Sequence, residues 1–346
     1  MAVKQDFEAL YFKAAFCLTS DIISDFNPVS RTLGVDVTDG MGTVFTALGA
    51  RYDMRYVAEE GFLTTDSYET DTRSIDKVPV AEVMRYTRGQ TIREDAVPEK
   101  YSEFVKKVRE GRSVFKDYKA YRSGEKDASV LYLISPADKT PDCSAAAFSR
   151  LAEKAGKSVF ATNEYGDCGY LRLQLELFDE LEEICASLKT VLERYDEIVT
   201  DDQFVLDALL VQFGEQADKI RFADEFLYEN RAKWKASFRG KTIAIHESGI
   251  INRLYPARKV EYSELLEGAK LVYPGRSGYD VSDSGIAGGL GMADEDVMKA
   301  VAGRRAKDLR ALKADVILSA CAAEKAGLED GGAEEAESLL CYLAAF

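Results

Sequence analysis

The sequence predicts an α/β protein, with a helical N-terminal region followed by two tandem, pseudo-repeated βαβ domains with small parallel sheets. Three observations carry this expectation. Short apolar runs at residues 128–135, 158–162 and 197–200 are each followed by a stretch with helical spacing. The same order returns at residues 241–246, 271–275 and 315–319. Sustained strand signals are missing from residues 1–125, where the pattern is helical and charge-rich.

Along the chain, the N-terminal pattern is interrupted at Asn27-Pro28, at residues 40–42 and at the polar stretch 64–77. The polar residues 122–127 then introduce the first alternating segment. Its strands are interleaved with helical patterns at residues 144–155, 170–195 and 203–216, and a mainly helical connector runs to about residue 239. In the second segment a helix is expected over residues 294–313, and helical pieces close the chain. The expected domains are therefore residues 1–125, 126–238 and 239–346. Apolar runs that lack strict alternation fit parallel strands covered by helices on both faces. The repeated order suggests an internal duplication.

With 346 residues, 46% of them hydrophobic, the chain can bury two or three cores. A net charge of -15 repels nucleic-acid phosphates and anionic lipid headgroups, so no nucleic-acid partner is expected. No apolar stretch approaches the roughly 20 residues of a membrane span. The start MAVKQDFEAL lacks the layout of a signal peptide, so a cytoplasmic location is expected. The six cysteines form no CxxC pair, which argues against a disulfide framework or a zinc site.

Cys17, Ser20, Ile23 and Asn27, followed by Pro28, occupy the four ligand positions of the bacterial ferredoxin run CxxCxxCxxxCP. One thiolate of four cannot hold a cubane cluster. With two α/β halves downstream, the chain resembles the heterodisulfide reductase family and relatives such as the glycolate oxidase iron-sulfur subunit. Those proteins join a helical two-cluster ferredoxin-like region to two cysteine-rich CCG domains, and the resemblance spans nearly the whole chain. A second ferredoxin motif would fall on Leu63, Asp66, Glu69 and Arg73, before Val78-Pro79-Val80 and the arginines Arg85 and Arg88. In the first CCG domain the family's cysteines match Pro136, Asp167, Cys168, Asp202 and Val205. In the second they match Gly249, Asp283, Ser284, Cys321 and Glu324, beside His246 and Arg253. The resemblance thus implies a degenerate member that has lost its clusters.

Each candidate also has a plainer reading. Cys17, Cys168 and Cys321 are remnant ligands or simply small buried hydrophobes, and Cys143, Cys185 and Cys341 are packing residues. His246 is the only histidine, so any imidazole chemistry must use it, but a hydrogen-bonded residue at a strand end is the simpler state. A metal site on it would need Asp280, Asp283 or Cys321. The glycine-rich residues 285–291 match neither a dinucleotide fingerprint nor a phosphate loop, and are expected to pass near a vacated cluster pocket. Acidic clusters at Asp66, Glu69, Asp71, Asp201 and Asp202 lack an EF-hand pattern. Acids at Asp167, Asp202, Asp283 and Glu324 imply small polar pockets at both α/β sites.

The expected function is that of a redox-silent, heterodisulfide-reductase-like subunit. It would be a structural or regulatory part of an oxidoreductase complex with flavoprotein or ferredoxin-like partners, with no cofactor, no metal and no catalysis of its own. Two alternatives stand beside it. One is an iron-sulfur electron-transfer subunit with atypical ligation through Cys17, Cys168 or Cys321. The other is a small-molecule binding module using a vacated pocket near His246 and Arg253.

Overall fold

The computed structural model describes residues 28–33, 53–63, 79–234 and 236–346, with single positions at 49 and 68. Numbering the described elements in chain order, the strands are Arg122–Ser123 (β1), Val130–Leu133 (β2), Val159–Thr162 (β3), Glu197–Thr200 (β4), Ile220–Phe222 (β5), Thr242–His246 (β6), Lys270–Val272 (β7), Val316–Ser319 (β8) and Ala336–Ser338 (β9). The first sheet has the order β1-β3-β2-β4-β5, parallel except for β1 at its edge. The second has the order β7-β6-β8-β9 and is wholly parallel. Counting only parallel strands, both sheets read second-first-third-fourth, the order of a doubly wound sheet.

Among the described residues, four helices precede the first sheet: Pro28–Leu33 (α1), Ala58–Leu63 (α2), Val80–Arg93 (α3) and Glu99–Arg109 (α4). The first half continues with Pro141–Lys154 (α5), Tyr170–Gln174 (α6), Phe178–Leu192 (α7), Gln203–Gln212 (α8) and Ala223–Glu229 (α9). The second contributes Gly249–Leu254 (α10), Tyr262–Leu265 (α11), Glu295–Arg310 (α12), Ala322–Asp330 (α13) and Leu339–Ala344 (α14). Strand β2 is buried at every position because helices cover both of its faces. Leu131 and Leu133 join Leu188 of α7 and Leu209 of α8 in one core, whereas Val130, Tyr132 and Ile134 join Phe148 of α5 and Phe226 of α9 in another. That second core also holds Ile243, Ile245 and Leu318 of the second sheet, Leu265 of α11 and Leu340 of α14. The two halves therefore pack through helices of matching topological position, as in an isologous contact folded into one chain.

The α/β class and the strands β2, β3, β4, β6, β7 and β8 match the sequence-based expectation. The structure adds edge strands at β1, β5 and β9, which span 2, 3 and 3 residues. Runs this short and this mixed in polarity give no periodic signal. The single helix expected over residues 170–195 is broken between α6 and α7, where Glu176 takes a φ of 51°. Its buried carboxylate pairs with Arg93 at 3.0 Å, across the face of α3 that Gly89 leaves open.

The glycine-rich stretch serves to dock the halves. Gly288 and Gly289 have φ of 62° and 102°, a region that side-chain-bearing residues rarely enter. A Cβ at Gly288 would lie 2.6 Å from the Tyr170 ring, and one at Gly289 3.0 Å from Val114. The N-terminal helices are tied on differently. Arg88 of α3, 1% exposed, donates to the Gly61 carbonyl at 2.7 Å, the Gln174 carbonyl at 2.8 Å and the Gln174 side chain at 3.0 Å. Burial lowers its pKa to about 10, so it remains a cation. Arg88→Met, which leaves three buried acceptors unpaired, is expected to cost about 3 kcal/mol or more in urea unfolding.

Candidate functional site

In a doubly wound sheet the crevice for ligands opens beyond the carboxyl ends of the first and third strands. In the first half those ends lead into Ser135-Pro136 and Asp201-Asp202, and in the second into residues 246–249 and 319–321. The two crevices face one another. The N–H of Ala322, opening α13, donates to the Asp201 carbonyl at 2.9 Å, and the N–H of Gln203, opening α8, donates to Cys321 Sγ at 3.5 Å.

The Gln203 side chain completes the junction. Its Nε2 donates to Glu324 at 2.9 Å, while its Oε1 accepts from the Ser248 hydroxyl at 2.6 Å and the Ile250 N–H at 2.8 Å. Glu324, 1% exposed, also accepts from the Ser284 N–H at 2.8 Å and lies 3.0 Å from His246 Nε2. The histidine tautomer follows from its other neighbour. Arg305 Nε can only donate, and it sits 3.1 Å from His246 Nδ1, so the ring carries its proton on Nε2 and donates it to Glu324. Burial and the Arg305 charge hold His246 below its ordinary value, hence neutral. Burial pushes Glu324 up, but the bonds donated by His246 and the Ser284 N–H outweigh it and keep the carboxylate ionised.

The positions aligned with the second CCG domain thus converge, and they are filled. Ser284 and Asp283 each bond to Glu324, and the Glu324 charge reaches Cys321. Gly249 lies beside Arg253, whose guanidinium is spent on the carbonyls of Tyr279, at 3.3 Å, and of Val281. The polar pocket expected here is corrected by this packing: a carboxylate and its donors occupy the centre. His246 is 1% exposed and both ring nitrogens are engaged.

The first half repeats the frame with other contents. Asp167 accepts from the N–H of Gly169 at 3.0 Å and of Leu171 at 2.8 Å, just as Asp283 accepts from Gly285. Gly169 and Gly285 share left-handed φ of 91° and 85°. Asp202 caps α8 through the N–H of Phe204 at 2.8 Å and accepts the Ser135 hydroxyl at 2.6 Å. Val205 stands where the second half has Glu324, so no central carboxylate forms. Instead, Pro136 and Asp167 line a cavity of ≈ 370 Å³ together with Arg172, Leu171 and Tyr165.

Cys168 and Cys321, each 1% exposed, lie in one core between the halves. Burial and the charges of Asp167 and Asp202 push the Cys168 thiol well up, and burial with Asp202 and Glu324 does the same to Cys321. Such thiols are poor ligands and nucleophiles. The residues do not fit an iron-sulfur cluster: each half offers one protonated thiol, and the acids near it are already bonded. Among the described residues no group of three or more His, Cys, Asp or Glu is arranged to hold a metal. Cys17, Ser20, Ile23, Asn27, Asp66, Glu69, Asp71 and Arg73 lie outside the described residues.

Sequence reasoning passed over Gln203 and Arg172, and it read Asp201 only as part of an acidic cluster, whereas the structure buries it. Gln203 and Asp201 flank the Asp202 position, and Arg172 follows the Asp167-Cys168-Gly169 turn, so the repeat register was the signal that could have found them. Asp201 accepts the Tyr132 hydroxyl at 2.6 Å and the Ser135 N–H at 3.1 Å. Burial and the Asp138 charge raise it to about 8. Two further Tyr–Asp pairs recur, Tyr255–Asp207 and Tyr262–Asp224, both at 2.7 Å, and burial raises these acids to about 6 and about 7.

The fold and site together define an α/β protein of two doubly wound halves joined at their switch points. Among solved structures, it is similar to the crystal structure of a hypothetical protein from Helicobacter pylori, with a TM-score of 0.58 and 13% identity over 98% of this chain and 76% of that one. At that identity the likeness is one of fold. No family model matches the sequence, and no curated protein does.

An acid with a raised folded-state value holds more protons folded than unfolded, between its ordinary 3.8 and that value, so stability falls as pH rises through this window. His246 works in the opposite sense, but its contribution is complete above its ordinary 6.5. From pH 6.5 towards 8.5 the midpoint of thermal unfolding is therefore expected to fall, and Asp201→Asn, which mimics the protonated acid, to flatten that slope. Glu324→Gln sets an amide against at least one inward donor, and should cost about 1–3 kcal/mol in chemical denaturation.

Proposed function

We propose that this chain is a redox-silent relative of the heterodisulfide-reductase-type iron-sulfur subunits, serving as a structural or regulatory component of an oxidoreductase complex. One observation carries the reading. Of the five positions that the resemblance assigns to cluster cysteines in the second half, Asp283, Ser284, Cys321 and Glu324 are linked around one point, and that point is filled by the Arg305–His246–Glu324–Gln203 chain of hydrogen bonds. The convergence supports the register of the resemblance, and the filling supports loss of the cofactor. The matched Asp-x-Gly turns and strand orders of the two halves support it further. Among the described residues no helix is long and apolar enough to cross a membrane, which agrees with docking onto partners from the aqueous side. The partners proposed are flavoprotein or ferredoxin-like subunits in the cytoplasm.

The test is iron and acid-labile sulfide content, with an absorption spectrum, on chain purified anaerobically with its co-purifying proteins. The expected result is no stoichiometric iron in the chain and a redox protein retained beside it. Stoichiometric iron and sulfide would overturn the proposal. In the same preparation, thiol labelling with peptide mapping should modify exposed Cys143 in the native protein, and Cys168 and Cys321 only after unfolding.

A further inference from the structure

Arg172 sits in the first half in a state that charged side chains seldom adopt. It is 9% exposed, its Nε is buried without a hydrogen-bond partner, and it forms no ion pair among the described residues. Burying a guanidinium this way is costly unless something answers its charge. Asp167 feels that charge, but both its oxygens are taken by the N–H groups of Gly169 and Leu171. The turn after α4 brings Gly111 against the guanidinium, where a Cβ would lie 3.0 Å from it, so the negative end of that helix helps to hold the cation in place.

Arg172 borders the ≈ 370 Å³ cavity that Pro136 and Asp167 also line. The remaining wall is largely apolar, with Val108, Val114, Phe115, Leu171, Ile184 and Leu188. Exposed Arg112, Glu164 and Ser187 stand at its mouth. The volume falls within the range of small-ligand sites, and one convergent charge in an apolar wall is how such sites orient their ligands. We propose that this cavity binds a small organic monocarboxylate, with the carboxylate on Arg172 and an apolar body against Phe115, Leu171 and Leu188. A planar guanidinium matches a carboxylate with two parallel hydrogen bonds. The site lies apart from His246 and Arg253, and the proposal stands whether or not the chain carries iron.

The experiment uses the full chain with benzoate and hexanoate, their uncharged amides, and inorganic phosphate, read by thermal shift and calorimetry. The carboxylates should raise the unfolding midpoint, because ligand bound only to the native state stabilises it, and the amides and phosphate should not. Arg172→Gln should weaken carboxylate binding roughly 10- to 100-fold, the worth of a charge-assisted bond. Ser187→Trp, at an exposed position, should block the mouth without unfolding the chain. Arg172→Met should raise the midpoint of the ligand-free protein, an outcome that a purely structural arginine would not produce. Equal shifts with amide and carboxylate, a shift with phosphate alone, no shift at millimolar probe, or undiminished binding by Arg172→Gln would each overturn the proposal.

Discussion

The Gln203 side chain is the constraint through which each half of the molecule holds the other. It projects from the start of α8 in the first half, yet all its side-chain bonds are made to Glu324, Ser248 and Ile250 of the second. An amide is suited to this task because it presents donor and acceptor in one rigid plane. With the amide oriented by Glu324 on one side and by the Ser248 hydroxyl and Ile250 N–H on the other, the two switch points cannot slide without leaving buried groups unpaired. The apolar core shared by α5, α9, α11 and α14 supplies attraction without direction. The polar junction supplies the register.

That junction is dense in ionisable groups, and burial sorts them by charge state. Glu324 stays ionised because donors surround it, whereas Asp201, Asp207 and Asp224, each facing a tyrosine hydroxyl, are driven toward the neutral acid. His246 is neutral because Arg305 already supplies the positive charge on that side. Sequence alone shows an acidic protein with a single histidine. The structure shows that several of its acids are interior hydrogen-bonding groups, which act as part of the solvated acidic surface only when the fold opens.

Much of the architecture was legible from pattern. The strands β2, β3, β4, β6 and β8 announce themselves because parallel strands covered on both faces need continuous apolar runs, and β7, at a sheet edge, is signalled by its short apolar run alone. The edge strands β1, β5 and β9 do not, since two or three residues of mixed polarity carry no period. The resemblance groups Asp283, Ser284, Cys321 and Glu324 at one site, and in the structure the first three are each linked to Glu324 by a hydrogen bond or by charge. What sequence could not show is how that place is filled. The expectation of a polar pocket failed in the second half because Gln203, a residue of the first, reaches across to Glu324, and a contact separated by 121 residues leaves no local trace. The glycines at 288 and 289 were likewise legible as unusual, but their partners Tyr170 and Val114 lie in another part of the chain.

The two halves meet the same packing problem with opposite solutions, and one residue decides between them. Where the second half has Glu324, the first has Val205, which can neither accept from a histidine nor draw in a bridging amide. Without a central acceptor the first half cannot build an inward network, so its polar groups turn to local backbone. Asp202 caps α8, and Asp167 binds the turn into α6. Space remains beyond Pro136, and Arg172 at its wall forms no ion pair among the described residues. In the second half a buried arginine from another element, Arg305 of α12, is tied to the imidazole beside a closed centre. A scaffold needs only the closed half. The other half leaves Arg172 Nε, among the described residues, without a hydrogen-bond partner, in a side chain that borders a cavity.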